Sequence, residues 1–177
     1  MQLMKDKEKQ LYRFEKFRKE NLVLLFEWMQ QPYVERWSGA AGSFGFFERK
    51  YKDLCSQEDG SFLIYLSGIP LGFLRYYYTD RIGDGWWAKS DPCVLDTVRM
   101  IIIIGRPSYL GMGHGAMIIN MFAHKLFCER PSLKRILIGP NHKNIAAVKS
   151  YEKAGFRKIR EEETEEGRVQ LMEYLRS

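Results

Sequence analysis

An apolar run, Ile101 to Ile104, followed by glycine at every second position, Gly111, Gly113 and Gly115, constrains this chain more than any other segment. The consecutive isoleucines read as a buried strand. Beyond the glycines, Ile118, Phe122 and Leu126 fall in an i, i+4 row and predict an amphipathic helix over Ala116 to Phe127. A strand, a glycine-rich loop and a helix N-terminus in succession make an anion site. Glycine lets the backbone approach a phosphate closely, several N–H groups point one way, and the helix dipole favours negative charge.

Three kinds of phosphate loop compete for this segment. A P-loop is excluded, because no Lys-Ser/Thr follows the glycines. A dinucleotide loop could open at Gly111 and Gly113, but its last glycine would fall on Ala116. The run Leu110-Gly111-Met112-Gly113-His114-Gly115 resembles the third kind, the pyrophosphate loop of the GNAT superfamily of N-acetyltransferases, Arg/Gln-x-x-Gly-x-Gly/Ala, with Leu110 in the Arg/Gln place. A glycine-rich turn that binds nothing is the competing reading of the loop alone.

A second segment strengthens the resemblance. Asn144-Ile-Ala-Ala-Val-Lys-Ser-Tyr-Glu-Lys-Ala-Gly-Phe156 is similar to the superfamily pattern Asn-x-x-Ala-x-x-x-Tyr-x-Lys-x-Gly-Phe. Asn144 is a good helix cap. Ala147 and Tyr151, four apart, share a face. Gly155 suits a left-handed residue just past the helix, with Phe156 starting the next strand. An ordinary half-buried tyrosine is the plainer reading of Tyr151. Both motifs in the right order weigh against it.

The likeness extends toward particular branches. Leu25 to Trp37 resembles the first helix and loop of the aminoglycoside 6'-N-acetyltransferases, as do the Gly68-Ile-Pro-Leu-Gly72 turn, Gly83-Asp-Gly-Trp-Trp87 and Asp91-Pro92. Siderophore-type lysine N-acyltransferases share this layout. The sequence departs from the aminoglycoside pattern where acids are expected: Ile101 and Ile102 stand in place of an Asp-Gln, and Gly139 in place of a second Asp. Asp84 is retained. A polycation needs several carboxylates, so a less cationic amine is the expected acceptor.

The resemblance implies a mixed α/β GNAT fold in one domain over residues 1–177, with acetyl-CoA as cofactor. It implies direct attack of a small-molecule amine on the thioester. Ile102 and Ile104 would pair with the pantetheine arm through their main chain. Leu110, Gly111, Met112, Gly113, His114, Gly115 and Ala116 would hold the pyrophosphate. Asn144, Ala147 and Tyr151 would complete the cofactor site, with Tyr151 as acid to the departing thiolate. Trp37, Asp84 and Trp87 would meet the acceptor, Asp84 in a catalytic role. Asp84, Asp96, His142 or a water chain are the candidate bases. Only one of the adjacent Trp86 and Trp87 can face a ligand if they lie in a strand. His124 reads as a surface residue. The rival class is a binding module that keeps the coenzyme loop without transfer chemistry.

Composition sets the remaining bounds. A length of 177 residues suits one core. Hydrophobic content of 45% and charged content of 28% are ordinary for a globular protein. No apolar run approaches ~20 residues, so no membrane helix is expected. The charged stretch Met1 to Gln10 lacks a signal core, and Cys55, Cys93 and Cys128 are scattered; both point to a cytoplasmic, reduced protein without a metal site. A buried cysteine is the expectation for these thiols. The net charge of +6 suits an anionic nucleotide ligand, and the positive charges are too dispersed for a nucleic-acid stripe. A monomer or homodimer is expected. The acidic run Glu161 to Glu166 reads as a solvated hairpin tip.

The element reading runs as follows. Leu11–Phe17 is a strand and Glu20–Gln30 a helix. The stretch Tyr33–Phe47 is a loop walling the substrate, and Phe47–Leu54 a short helix. Phe62–Ser67 and Leu71–Tyr78 form a hairpin over Gly68-Ile-Pro70. A loop over Asp80–Asp96 leads into the central strand Val98–Ile104. Strand Arg135–Ile138, helix Asn144–Ala154 and a closing hairpin, Arg157–Glu162 with Arg168–Arg176, complete the chain.

Overall fold

Seven strands form one sheet in the order β1-β2-β3-β4-β5-β7-β6. The structure, a computed structural model, describes residues 11–51, 60–79, 96–164 and 167–176. The strands are β1 (Tyr12–Lys16), β2 (Gly60–Leu66), β3 (Ile69–Tyr78), β4 (Thr97–Ile104), β5 (Arg135–Ile138), β6 (Arg157–Thr164) and β7 (Gly167–Leu175). The described helices are α1 (Leu22–Met29), α2 (Pro32–Ser38), α3 (Phe44–Tyr51), α4 (His114–Glu129) and α5 (Ile145–Ala154). Strands and helices mix as the sequence pattern predicts. Contacts group the chain into two compact units, one of Met1–Arg75 with Ile102–Met112, the other of Tyr76–Ile101 with Gly113–Ser177.

In the first unit β1 pairs antiparallel with β2, Tyr12 opposite Leu66 and Lys16 opposite Phe62. The turn into β3 is Ser67-Gly68, both with positive φ (50° and 82°), as a two-residue hairpin requires. The expected turn at Gly68-Ile-Pro70 is thus displaced, and Pro70 lies inside β3. The expected first helix also starts later. Lys19–Asn21 is a 3-10 turn, and α1 begins at Leu22. Buried Leu22, Leu25, Trp28 and Met29 of α1 pack with Phe47 of α3 and Phe73 of β3.

The stretch Tyr33–Phe47, expected to be a loop, is a correction. Pro32 opens α2 at a position where its missing N–H costs nothing. The first half of α3, which starts at Phe44, also lies in that stretch. Val34 and the fully buried Phe47 supply the packing that holds these short helices.

In the second unit β5 runs parallel to β4, Thr97 opposite Arg135 and Arg99 opposite Leu137. β7 runs antiparallel to β5 and to β6. Helix α4 packs on Tyr174 of β7 through Phe127, 5.9 Å from that ring, and Phe156, just past α5, lies 5.3 Å from it. Glu173, 8% exposed, holds Arg157 at 2.7 Å and faces Arg135 at 3.7 Å, so this buried carboxylate is paired.

The isoleucine run corrects a second expectation. Val98 and Met100 are buried, but Ile101 is 43% exposed and Ile102 to Ile104 are half-buried. The ladder to β5 covers Thr97 to Arg99 and does not reach them. Cys128, expected to be buried, is exposed. Cys55, Cys93, Asp84, Trp86 and Trp87 lie outside the described residues, as does the Met1–Gln10 stretch. Among the described residues no helix is long and apolar enough to cross a membrane.

Candidate active site

The glycine loop adopts the geometry an anion requires. After β4 a 3-10 turn, Pro107–Tyr109, leads to Leu110, whose N–H donates to Pro107 O at 3.1 Å. Gly111 and Gly113 have φ of 75° and 86°, and a Cβ on either would meet nothing within 4 Å. Backbone handedness, not crowding, therefore demands glycine at both. The carbonyl of Gly113 accepts the Met117 N–H at 3.2 Å, the first bond of the α4 ladder. The N–H groups of His114, Gly115 and Ala116 precede that ladder and have no intrahelical acceptor. No acidic residue stands in the first turn, and no side chain caps it. Leu110 and Met112 are exposed, at 43% and 68%. The loop thus opens onto the positive end of a 16-residue helix, with open space beside Gly111 and Gly113.

Helix α5 stands against that N-terminus. Asn144 Oδ1 accepts the Ala147 N–H at 3.1 Å, the expected cap. Gly155 ends the helix with φ of 104°. Tyr151 is buried at 7% exposure, its ring 6.1 Å from Phe156. Burial pushes its phenol well above the usual tyrosine range. The group is therefore protonated at neutral pH.

The end of β4 is held tightly from within the first unit. Gly105 N–H donates to Leu71 O at 2.8 Å, and Arg106 Nε donates to Pro70 O at 2.7 Å. Tyr33 Oη donates to the Ile104 carbonyl at 3.1 Å. That contact was invisible to the sequence, since it joins residues 71 apart. Trp37 is half-buried on α2, with the Arg36 guanidinium 4.8 Å from its ring centre.

The remaining candidates divide. Asp96 precedes β4 and its carboxylate pairs with Lys134 at 3.1 Å, so it is already committed to a cation. His142 N–H donates to Arg168 O at 3.1 Å, and its ring is half-buried. His124 is exposed, 3.4 Å from Tyr174 Oη.

The parallel-and-antiparallel sheet and the glycine loop before a helix N-terminus define the class by fold. Residues 18–164 match the family described as acetyltransferase (GNAT) domain. The chain belongs to this family of acetyltransferases, whose enzymes use acetyl-CoA. Over 142 residues it is 29% identical to aminoglycoside N(6')-acetyltransferase type 1 of Klebsiella pneumoniae, covering 77% of this chain and 69% of that protein. It is 24% identical over 153 residues to the lysine N-acyltransferase MbtK of Mycobacterium tuberculosis, covering 84% and 70%. The crystal structure of aminoglycoside acetyltransferase AAC(6')-Ib with coenzyme A superposes with a TM-score of 0.84 at 24% identity, over 93% of this chain and 95% of that one. The GNAT fold expected from the two motifs is therefore the fold observed.

Proposed function

We propose that the chain, acting as one domain, transfers an acetyl group from acetyl-CoA to a primary amine of a small molecule by direct attack in a ternary complex. The observation that carries this is the loop at the α4 N-terminus, where Gly111 and Gly113 in left-handed geometry lead into a helix whose first turn holds no acidic residue and no side-chain cap. Acetyl-CoA supplies an activated acetyl as its thioester. The loop 110–116 holds the diphosphate, and main-chain groups of Ile102 and Ile104 orient the arm that follows it. Alignment of amine and carbonyl provides most of the acceleration. As the amine nitrogen bonds to the acetyl carbon, the carbon–sulfur bond breaks. Tyr151 Oη gives its proton to the departing sulfur, and the amine's surplus proton leaves to a base. Asp84, His142 or a water chain serve as that base.

The acceptor is a less cationic amine than an aminoglycoside. Ile101 exposes an apolar surface on the central strand, and the chain's net charge is +6. The second reading, 6'-acetylation of aminoglycosides, is favoured by the Klebsiella relative. The test is acetyl-CoA with an amine panel that includes kanamycin and tobramycin, read as released thiol. Thiol release with weakly charged amines and little with aminoglycosides is the expected result. A kcat/KM above ~10⁴ M⁻¹s⁻¹ on kanamycin, in the ordinary enzyme range, would establish the second reading. Coenzyme A binding without thiol release from any amine would make the chain a binding module.

A further inference from the structure

The peptide between Ile104 and Gly105 is fixed from both sides. Its N–H, on Gly105, donates to Leu71 O at 2.8 Å. Its C=O, on Ile104, accepts from Tyr33 Oη at 3.1 Å. A trans peptide directs these two groups in opposite directions. The N–H thus belongs to the ladder with β3, and the carbonyl belongs to the other side of β4, which the β5 ladder leaves open beyond Arg99. Tyr33 fills one hydrogen-bonding place on that open side.

Neighbouring contacts make the arrangement rigid. A Cβ on Gly105 would lie 2.0 Å from the Trp28 ring, so α1 presses directly on this peptide. A Cβ on Gly72 would lie 2.2 Å from Ile103 O, so β3 presses on the preceding one. Tyr33 follows the first residue of α2, Pro32, whose ring fixes the backbone there. Burial keeps the phenol above its usual range, so it is a donor over the working pH.

We infer that Tyr33 is a positioning residue that stops the pairing edge of β4 at Ile104, so that an acyl-coenzyme arm can pair with the main chain only up to the Ile104 N–H and in one register. This rests on the proposed acetyl transfer. An arm that slid further would carry its thioester past the attacking amine. With the Ile104 carbonyl free, a second register becomes available to the arm, and binding survives while alignment is lost.

Tyr33→Phe tests this in the full chain. We expect kcat with acetyl-CoA and the best amine to fall about 10-fold or more, with coenzyme A affinity by calorimetry unchanged within 2-fold or tighter, and with propionyl-CoA turnover rising relative to acetyl-CoA. A Tyr33→Trp variant, able to donate from its indole N–H, should recover part of the lost kcat if it folds. An unchanged kcat and unchanged acyl preference in a Tyr33→Phe protein would overturn the inference. So would a parallel loss of kcat and coenzyme affinity with a lowered Tm, which is the mark of a purely structural bond. A wild-type protein that binds coenzyme A but releases no thiol would instead refute the transfer reading on which the inference stands.

Discussion

A Cβ on Gly115 would lie 2.9 Å from Ser150 Oγ, so the first turn of α4 meets α5 with almost no side chain between them. Ser150 adjoins Tyr151 in the chain. The close approach therefore couples the N-terminus of α4 to the helix that carries the buried Tyr151. A Gly115 side chain would separate them by a few tenths of an ångström or more, and alignment in such a reaction is sensitive to that distance.

Substitution at Gly113 separates the loop's shape from its charge preference. Aspartate and asparagine tolerate left-handed φ better than other side chains, so both variants should fold. Gly113→Asp places a carboxylate beside the diphosphate and should weaken coenzyme A binding at least 100-fold. Gly113→Asn should weaken it far less. Calorimetry on both proteins measures the difference, and equal, wild-type affinities would remove the loop from the coenzyme site.

Tyr151→Phe should lower kcat by about 10²- to 10⁴-fold while leaving acetyl-CoA affinity nearly unchanged, because in the proposed reaction the hydroxyl acts only as sulfur departs. Steady-state kinetics beside direct binding reads the split. An unaltered kcat would take the phenol out of the mechanism.

The same residue makes stability fall at alkaline pH. Its folded pKa is raised above the unfolded value near 10, so the native state keeps a proton that the unfolded chain releases. The contribution is fully present below that unfolded value and is lost as pH rises through the folded one. Urea unfolding across the range above about pH 10 should show a steeper decline for the wild type than for Tyr151→Phe. Tyr33 and Tyr65, raised in the same direction, keep a residual slope in the variant.

Gly105→Ala should destabilise the protein by about 1–3 kcal/mol, the usual range for overpacking, since the added methyl would overlap the buried Trp28 ring. A drop in the urea midpoint with an altered tryptophan emission spectrum would record it. Wild-type stability would mean that α1 yields at no cost.

The helices that carry the candidate site were legible because their ends are chemically marked. Gly113, Asn144 and Gly155 each hold a backbone state or a cap that few residues supply. Helix α2 and the first half of α3 were not: Gly39, Gly42 and Ser43 do form the link between them, and burial of Val34 and Phe47 holds the flanking residues in helices that local composition does not announce. The half-exposed isoleucines were misread for a similar reason. Composition says that Ile101 to Ile104 belong in a strand, but how far the neighbouring strand extends is a tertiary fact. The Tyr33 contact to Ile104 has no local signal at all.

The two outer strands carry a consequence for the protein in a crowded solution. Among the described residues β1 and β6 are the outermost strands of the sheet, the places where a foreign strand would add. β1 bears the Arg13–Glu15 pair. On β6, Arg160 holds Glu162, and Arg168 of β7 reaches both Glu161 and Glu163. Ion pairs of Glu161, Glu162 and Glu163 thus line the margin of the sheet. A foreign strand would have to displace or rearrange these paired side chains before any ladder could form, a cost met at the margin of the sheet.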